Sequence, residues 1–252
     1  MSTKHKIATV LTCVYFSIGF NYKNAFAQKK TLSIEMIQDR YKGKRPASAT
    51  YVLETIKTQY NKSENLKQYV TELFPGKHRI DNGDIENGNA LIYKNDSLFR
   101  FRQYKLTDAF PDNHYPTEYI LGDIYFDQPE LAKSIMRANR LDPEKSCAGI
   151  WEGRKVLILG TDNAQDRTSV QLWYDAQGLY PIRFFDFING RIRETRYEIK
   201  NYGEYWYPKT IKQFVSSKQT EVTALSQVSF NRPLDSAIFD IEKFGAVHWV
   251  TQ

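Results

Sequence analysis

Few side chains in this sequence have the type and the spacing that catalysis or metal binding requires. The histidines that follow residue 27 are His78, His114 and His248, and none of them lies near another histidine or a cysteine at the spacing of metal ligands. The stretch 162–166 resembles part of a calcium-binding loop, but the glycine and the distal glutamate of such a loop are missing. We therefore predict no bound metal and no cofactor.

The common signatures of enzymes are missing as well. The sequence contains no HExxH, CxxC, GxSxG, P-loop or GxGxxG motif. Cys147 is the one cysteine after residue 27, and its sequence neighbours do not mark it as a nucleophile, so we expect a buried thiol. The sequence predicts no catalytic residue and no enzymatic activity. A site built from paired carboxylates stays open as an alternative, because such residues come together only in three dimensions.

Aromatic residues are abundant, and the net charge is small once its distribution is considered. The 252 residues include 17 Tyr, 15 Phe and 4 Trp, which favours strands and argues against an all-helical fold. The formal net charge is +6, but the first 27 residues hold three lysines and no acidic residue, so +3 remains for the rest. A charge of this size does not indicate nucleic acid as a partner.

The first 27 residues have the three parts of an export signal. A basic start is followed by an apolar run from Ile7 to Phe20, and Ala25-Phe26-Ala27 forms a cleavage site of small residues. As a helix the apolar run would be about 21 Å long, less than the bilayer core of roughly 30 Å, which favours cleavage over a retained anchor. We expect a cleaved signal peptide, export from the cytoplasm, and a mature chain of residues 28–252.

Helical periodicity occurs in three segments. Apolar residues recur at helical spacing within 34–41, and again within 52–60 they share one helical face. Gly43 and Pro46 separate these two segments, so we predict a kinked or paired amphipathic helix near the start of the mature chain. A further helix is predicted to begin near Pro129, because proline suits the first turn.

From about Lys67 onward the apolar segments shorten to strand length and are separated by turn dipeptides. The strongest hairpin signal is Asn189-Gly190, which separates the stretches 181–188 and 191–199. No segment in the C-terminal hundred residues supplies the long helical crossover that parallel strands need. We therefore predict a mainly β fold, an antiparallel sheet with a few helices, in a single domain from residue 28 to residue 252.

Alternation along the predicted strands places aromatic side chains on common faces. Phe99 and Phe101 share one face of their strand, while Arg100 and Arg102 share the other. A curved sheet with helices across its concave side can leave an apolar cavity that aromatic residues line. Which strand face lines the cavity stays open, and each aromatic residue could equally fill a solid core. The candidate wall residues are Phe99, Phe101, Phe185, Phe187, Tyr197 and Trp206.

Several stretches of the C-terminal half resemble a known family. Trp151–Gly160 and Ser169–Asp175 are similar to the strand succession of bacterial periplasmic lipoprotein-sorting proteins of the LolA/LolB-like superfamily. Pro181–Arg183 and Tyr205–Lys209 continue this resemblance, and Asn231–Asp240 is similar to the last turn of the family. The resemblance is strongest between residues 151 and 240.

The resemblance implies both a fold and a role. The fold would be an incomplete antiparallel β-barrel of about eleven strands, with helices covering its concave side and enclosing an acyl-chain cavity. The protein would then be a monomeric periplasmic binding protein that sequesters a lipid, an acyl chain or a lipoprotein. An envelope membrane protein is a further expected partner. The alternatives are an envelope sensor or scaffold that docks another protein on the concave face, and an enzyme with a carboxylate site.

Overall fold

The computed structural model describes residues 32–60, 62–111 and 116–250, with the backbone alone for 116–118. The predicted signal peptide therefore lies outside the described residues. These residues form one curved, open sheet of 13 antiparallel strands, which confirms the predicted mainly β architecture and exceeds the expected number of strands by two. The strands are β1 Ser48–Gln59, β2 Lys62–Leu73, β3 Lys77–Asn82, β4 Ala90–Lys94, β5 Ser97–Arg102, β6 Lys105–Pro111, β7 Ser146–Trp151, β8 Arg154–Leu159, β9 Gln171–Asp175, β10 Pro181–Ile188, β11 Arg191–Tyr202, β12 Tyr205–Val215 and β13 Lys218–Phe230.

Two meanders make up the sheet. In the N-terminal meander β1 to β6 follow one another in space, and in the C-terminal meander β7 to β13 do the same. The two meanders join where β1 pairs with β13, so β6 and β7 are the free edges of the sheet. The predicted hairpin at Asn189-Gly190 is confirmed, with Ile188 opposite Arg191 and positive φ angles at both turn residues.

Three α-helices are present in the described part of the chain: α1 Ile34–Tyr41, α2 Pro116–Leu121 and α3 Pro129–Ala138. With the short 3-10 helix Asp123–Tyr125 they form a helical layer on one face of the sheet. Ser33 caps α1 by accepting a hydrogen bond from the Met36 backbone, and Ile34 and Ile37 are fully buried. Burying each isoleucine contributes about 1.5–3 kcal/mol, so packing rather than helix propensity holds this short helix. Within the described residues, no helix combines the length and the hydropathy needed to cross a membrane.

The prediction of a second N-terminal helix within residues 52–60 is wrong, because this segment belongs to strand β1. The segment does carry apolar residues at helical spacing, but it is also rich in strand-forming side chains such as Val52, Thr55 and Ile56. β1 pairs with β2 on one side and with β13 on the other, so its backbone groups are satisfied within the sheet. Long-range pairing therefore overrides the local periodicity.

The N-terminal meander is covered on both faces by different parts of the chain. Neighbouring residues on a strand point to opposite faces, and β3 shows the consequence. His78 contacts Asp123 of the helical layer, whereas Arg79 donates hydrogen bonds to the carbonyl groups of Ile238 and Val247. The C-terminal segment, residues 234–250, thus covers the face opposite the helical layer.

Candidate ligand-binding site

The structure divides the six predicted wall residues between the two faces of the sheet. In the N-terminal meander, Phe101 is buried and stacks on Phe244 of the C-terminal segment, with 4.0 Å between ring centroids. Phe99 lies two residues away on the same strand face. Both phenylalanines therefore face the C-terminal segment rather than the helical layer.

The two phenylalanines of β10 also point away from the helices. Between them, Asp186 accepts a hydrogen bond of 2.8 Å from Arg140, which follows α3, so Asp186 marks the helix side of the strand. On the opposite face Phe185 is buried under the guanidinium group of Arg183, and Phe187 is 37% exposed. The predicted alternation is correct, but the phenylalanine face is the outer one.

Tyr197 and Trp206 lie on the helix-covered face, where both are buried in the core beneath the helical layer. The structure surrounds Trp206 with aromatic residues that the sequence analysis did not single out as wall residues. The Trp206 ring lies 5.2 Å from that of Tyr41, 5.9 Å from that of Tyr125 and 5.7 Å from that of Tyr180. We call Tyr41, Tyr125, Tyr174, Tyr180 and Trp206 the inner aromatic cluster.

Two hydroxyl groups of the inner aromatic cluster are buried without a hydrogen-bond partner among the described residues, those of Tyr125 and Tyr174. Tyr174 is fully buried. Burial raises the pKa of both phenols, and it raises the pKa of Tyr41 to about 12. A buried hydroxyl that lacks a partner costs about 1–3 kcal/mol. These groups can therefore bind a water molecule or a polar group of a ligand.

Arg45 connects the helical layer to the sheet above the inner aromatic cluster. Its guanidinium carbon lies 4.5 Å from the ring centroid of Tyr125 and 4.4 Å from that of Trp206. The same group donates hydrogen bonds to the carbonyl oxygens of Leu121, at the end of α2, and of Trp206 in β12. One half-buried side chain thus joins a helix to a strand.

A buried ion-pair cluster forms the second polar connection to the helical layer. His78 Nε2 lies 2.9 Å from a carboxylate oxygen of Asp123, and its Nδ1 lies 3.6 Å from Glu72. The hydroxyls of Tyr51 and Tyr207 donate to Glu72. Burial lowers the pKa of His78, but the hydrogen bonds and charges of the two carboxylates outweigh it and raise the pKa to about 10. His78 is therefore a cation at neutral pH.

The other residues that could take part in catalysis or metal binding lie in structural contacts where the structure describes them. Cys147 is buried. His248 contacts Asp81 at 3.0 Å within the C-terminal segment interface, while His114 lies outside the described residues. Across the described ranges, no cluster of three or more histidine, cysteine or acidic residues is arranged to hold a metal ion. The loop 161–168 closes on itself through the Asp166 carboxylate, which accepts hydrogen bonds from neighbouring residues.

Comparison with known proteins gives a match of structure and none of sequence. No family model and no curated protein sequence matches the chain. A LolA superfamily protein from Nitrosomonas europaea superposes with a TM-score of 0.56 at 15% identity, covering 83% of this chain and 98% of that one. A putative outer membrane lipoprotein-sorting protein domain from Vibrio parahaemolyticus gives a TM-score of 0.54 at 13% identity, covering 84% and 97%.

A third similar structure is a DUF1329 family protein from Desulfovibrio piger, with a TM-score of 0.58 at 9% identity, covering 85% of this chain and all of that one. Each likeness extends over almost the whole of the matched structure. At these identities the likeness establishes the fold alone. The chain has the fold of the LolA superfamily.

Proposed function

We propose that this protein is a periplasmic binding protein that sequesters a lipid, an acyl chain or a lipoprotein between the sheet and the helical layer. The proposal includes removal of residues 1–27 on export and assigns no catalytic step to the chain. The observation that carries it is the inner aromatic cluster, an apolar interior with unsatisfied hydroxyl groups beneath a separate layer of helices. The LolA-like fold supports the same role, because one of the similar structures is described as a putative lipoprotein-sorting domain.

The packing of the helical layer suits exchange with an apolar ligand. Ile34, Ile37, Ile124 and Met136 hold this layer on the sheet through apolar contacts, which have no preferred direction and which an acyl chain can replace. A chain of about 16 carbons buries roughly 0.8 kcal/mol per CH₂, on the order of 12 kcal/mol before the costs of ordering are subtracted. That gain offsets apolar contacts that the helical layer gives up when the ligand enters.

Loading would require the helical layer to move away from the sheet. The contacts of Arg45 with Leu121 and Trp206 must then break, so Arg45 favours the closed, empty state. The hydroxyls of Tyr125 and Tyr174 would gain a partner in the loaded state, where they can hydrogen-bond an ester or carboxyl group of the ligand. Arg45 therefore opposes opening of the helical layer, whereas the two tyrosine hydroxyls favour binding of the ligand.

Uptake of a fluorescent fatty-acid analogue tests the proposal. Wild-type protein should bind the analogue saturably, and Arg45→Met should take it up several-fold faster because the helical layer loses one attachment. Arg232→Met is the matched control, since the half-buried Arg232 also lies over a tryptophan, Trp249 at 5.5 Å, but on the face opposite the helical layer. Absence of saturable uptake by the wild type would overturn the proposal in favour of a protein-docking scaffold. Equal rates for both variants would remove Arg45 from the account of loading.

A further inference from the structure

A pocket of about 490 Å³ lies where β11 extends beyond its neighbour. β10 pairs with β11 only from Arg191 to Arg196, although β11 continues to Tyr202. The four consecutive residues 196–199 line the pocket, so it reaches around the edge of the strand. Its volume lies in the range of small-molecule sites.

The inner wall of this pocket also belongs to the core beneath the helical layer. Tyr180, Tyr197 and Ile199 line the pocket and pack in the helix-side core as well. Tyr180 is itself a member of the inner aromatic cluster, 5.7 Å from Trp206. A single layer of side chains therefore separates the pocket from the proposed acyl-binding interior.

Cations and aromatic rings form the outer wall. Arg196 lies over the rings of Phe214, at 4.4 Å, and Trp151, at 5.5 Å. Its guanidinium group pairs with Glu194 at 2.6 Å and with Glu152 at 3.3 Å. These contacts hold Arg196 rigidly and engage the Glu152 carboxylate.

Two further cations of the pocket have no carboxylate partner within the described ranges, Arg154 and Lys212. The remaining carboxylate of the lining, Glu198, is 3.9 Å from Lys209. The pocket thus has an excess of positive charge beside aromatic rings, next to an apolar interior. Arginine and lysine at such a position attract phosphate or carboxylate groups.

We propose that this pocket binds the anionic head group of a lipid whose acyl chain occupies the interior beneath the helical layer. This inference rests on the proposed function and adds to it a ligand class, a lipid with a phosphate or carboxylate head. Arg154 and Lys212 contact the head group, and displacement of Tyr180 joins the pocket to the interior. The same cations could hold free phosphate, so the test must separate these two sources of the anion.

The experiment measures binding of two lipids with the same single acyl chain to the full mature chain. One is a lysophosphatidylglycerol with an anionic head, the other an uncharged monoacylglycerol, and glycerol phosphate without a chain forms a third arm. We expect wild type to bind the anionic lipid about tenfold more tightly than the uncharged one. Arg154→Gln/Lys212→Gln should remove this preference and leave binding of the uncharged lipid unaffected. Arg102→Gln/Lys105→Gln, at the tip of the β5–β6 hairpin, should change neither affinity.

The outcomes distinguish failure of the head-group site from failure of the proposed function. Equal binding of the two lipids by wild type would overturn the head-group site while leaving the lipid carrier intact. Binding of glycerol phosphate as tight as that of the anionic lipid would assign the pocket to free phosphate and overturn the lipid head group as its ligand. Binding of neither lipid would overturn the proposed function and this inference together. A preference that persists in Arg154→Gln/Lys212→Gln would place the head group elsewhere.

Discussion

The two covers of the sheet, the helical layer and the C-terminal segment, are attached in different ways. On β3 the adjacent residues His78 and Arg79 hold one cover each. Arg79 forms two hydrogen bonds with Asp81, at 2.8 and 2.9 Å, and two more with carbonyl groups of the C-terminal segment. The helical layer leaves the hydroxyls of Tyr125 and Tyr174 without partners among the described residues. The C-terminal segment leaves one buried donor without a partner among the described residues, the indole N–H of Trp249. More polar groups lack such a partner beneath the helical layer, so that interface has more to gain from binding a ligand.

The largest expected effect concerns the attachment of the C-terminal segment. Arg79→Met should lower the free energy of unfolding by about 3–5 kcal/mol, because it leaves the Asp81 carboxylate buried without its guanidinium partner. Arg45→Met should cost about 1 kcal/mol, since Arg45 is half-buried and contributes stacking and two backbone contacts. Urea denaturation measures both variants.

A double variant distinguishes the effect of an unpaired Asp81 carboxylate from general misfolding. Arg79→Met/Asp81→Leu removes both charges and should recover much of the loss, as expected when an uncompensated buried charge is its cause. Comparable losses for Arg79→Met and Arg45→Met would contradict the distinction between the two covers.

Tyr207 and Tyr174 give the next largest effect on stability, because the hydroxyl of Tyr207 has a hydrogen-bond partner and that of Tyr174 has none among the described residues. The hydroxyl of Tyr207 donates to Glu72 at 2.7 Å, so Tyr207→Phe should lower the free energy of unfolding by about 2 kcal/mol. Tyr174→Phe removes a buried hydroxyl that lacks a partner and should raise stability by about 1 kcal/mol. Thermal unfolding of the two variants checks this difference in sign. If Tyr174→Phe were as destabilising as Tyr207→Phe, the interior of the site would be satisfied in the empty protein.

The ion pair of His78 predicts a pH dependence of the helical layer. The pKa of His78 is raised in the folded state, from an ordinary value near 6.5 to about 10. The stabilisation is therefore complete below about pH 6.5 and is lost as the pH rises toward 10.

His78→Gln is the control for that titration, because it should flatten the decline of stability between pH 7 and 9. Hydrogen exchange should show faster opening of the 3-10 helix Asp123–Tyr125 as the pH rises, after correction for intrinsic exchange rates. Exchange in the C-terminal segment should change less. An identical pH profile for wild type and His78→Gln would remove this ion pair from the attachment of the helical layer.

Local patterns predicted much of the architecture and little of the site. Helix α1, the strands β10 and β11 and the hairpin at Asn189-Gly190 follow from spacing and turn chemistry, which act within a few residues. β1 does not, because its pairing with β13 joins residues more than 160 positions apart. The side chains on a strand face also do not reveal whether helices or the C-terminal segment cover that face. Phe101 and Phe185 were therefore plausible wall residues from sequence.

The inner aromatic cluster escaped prediction for a related reason. Tyr41 comes from α1, Tyr125 from a 3-10 helix and Trp206 from β12, so their proximity exists only in the folded chain. One signal was available, since the alternation of Val170, Leu172 and Tyr174 places all three on a common face. Arg45 follows the end of α1 and had no pattern to distinguish it from the charged residues of the surface.

Native mass spectrometry of the protein, purified without detergent from the cells that produce it, shows directly whether a ligand is bound. We expect a species heavier than the protein chain by the mass of one lipid, which is lost on activation in the gas phase. The bare chain should take up one lysophospholipid when the two are incubated together. A spectrum that contains only the bare chain, before and after incubation with lysophospholipid, would contradict the account of a ligand held between the sheet and the helical layer.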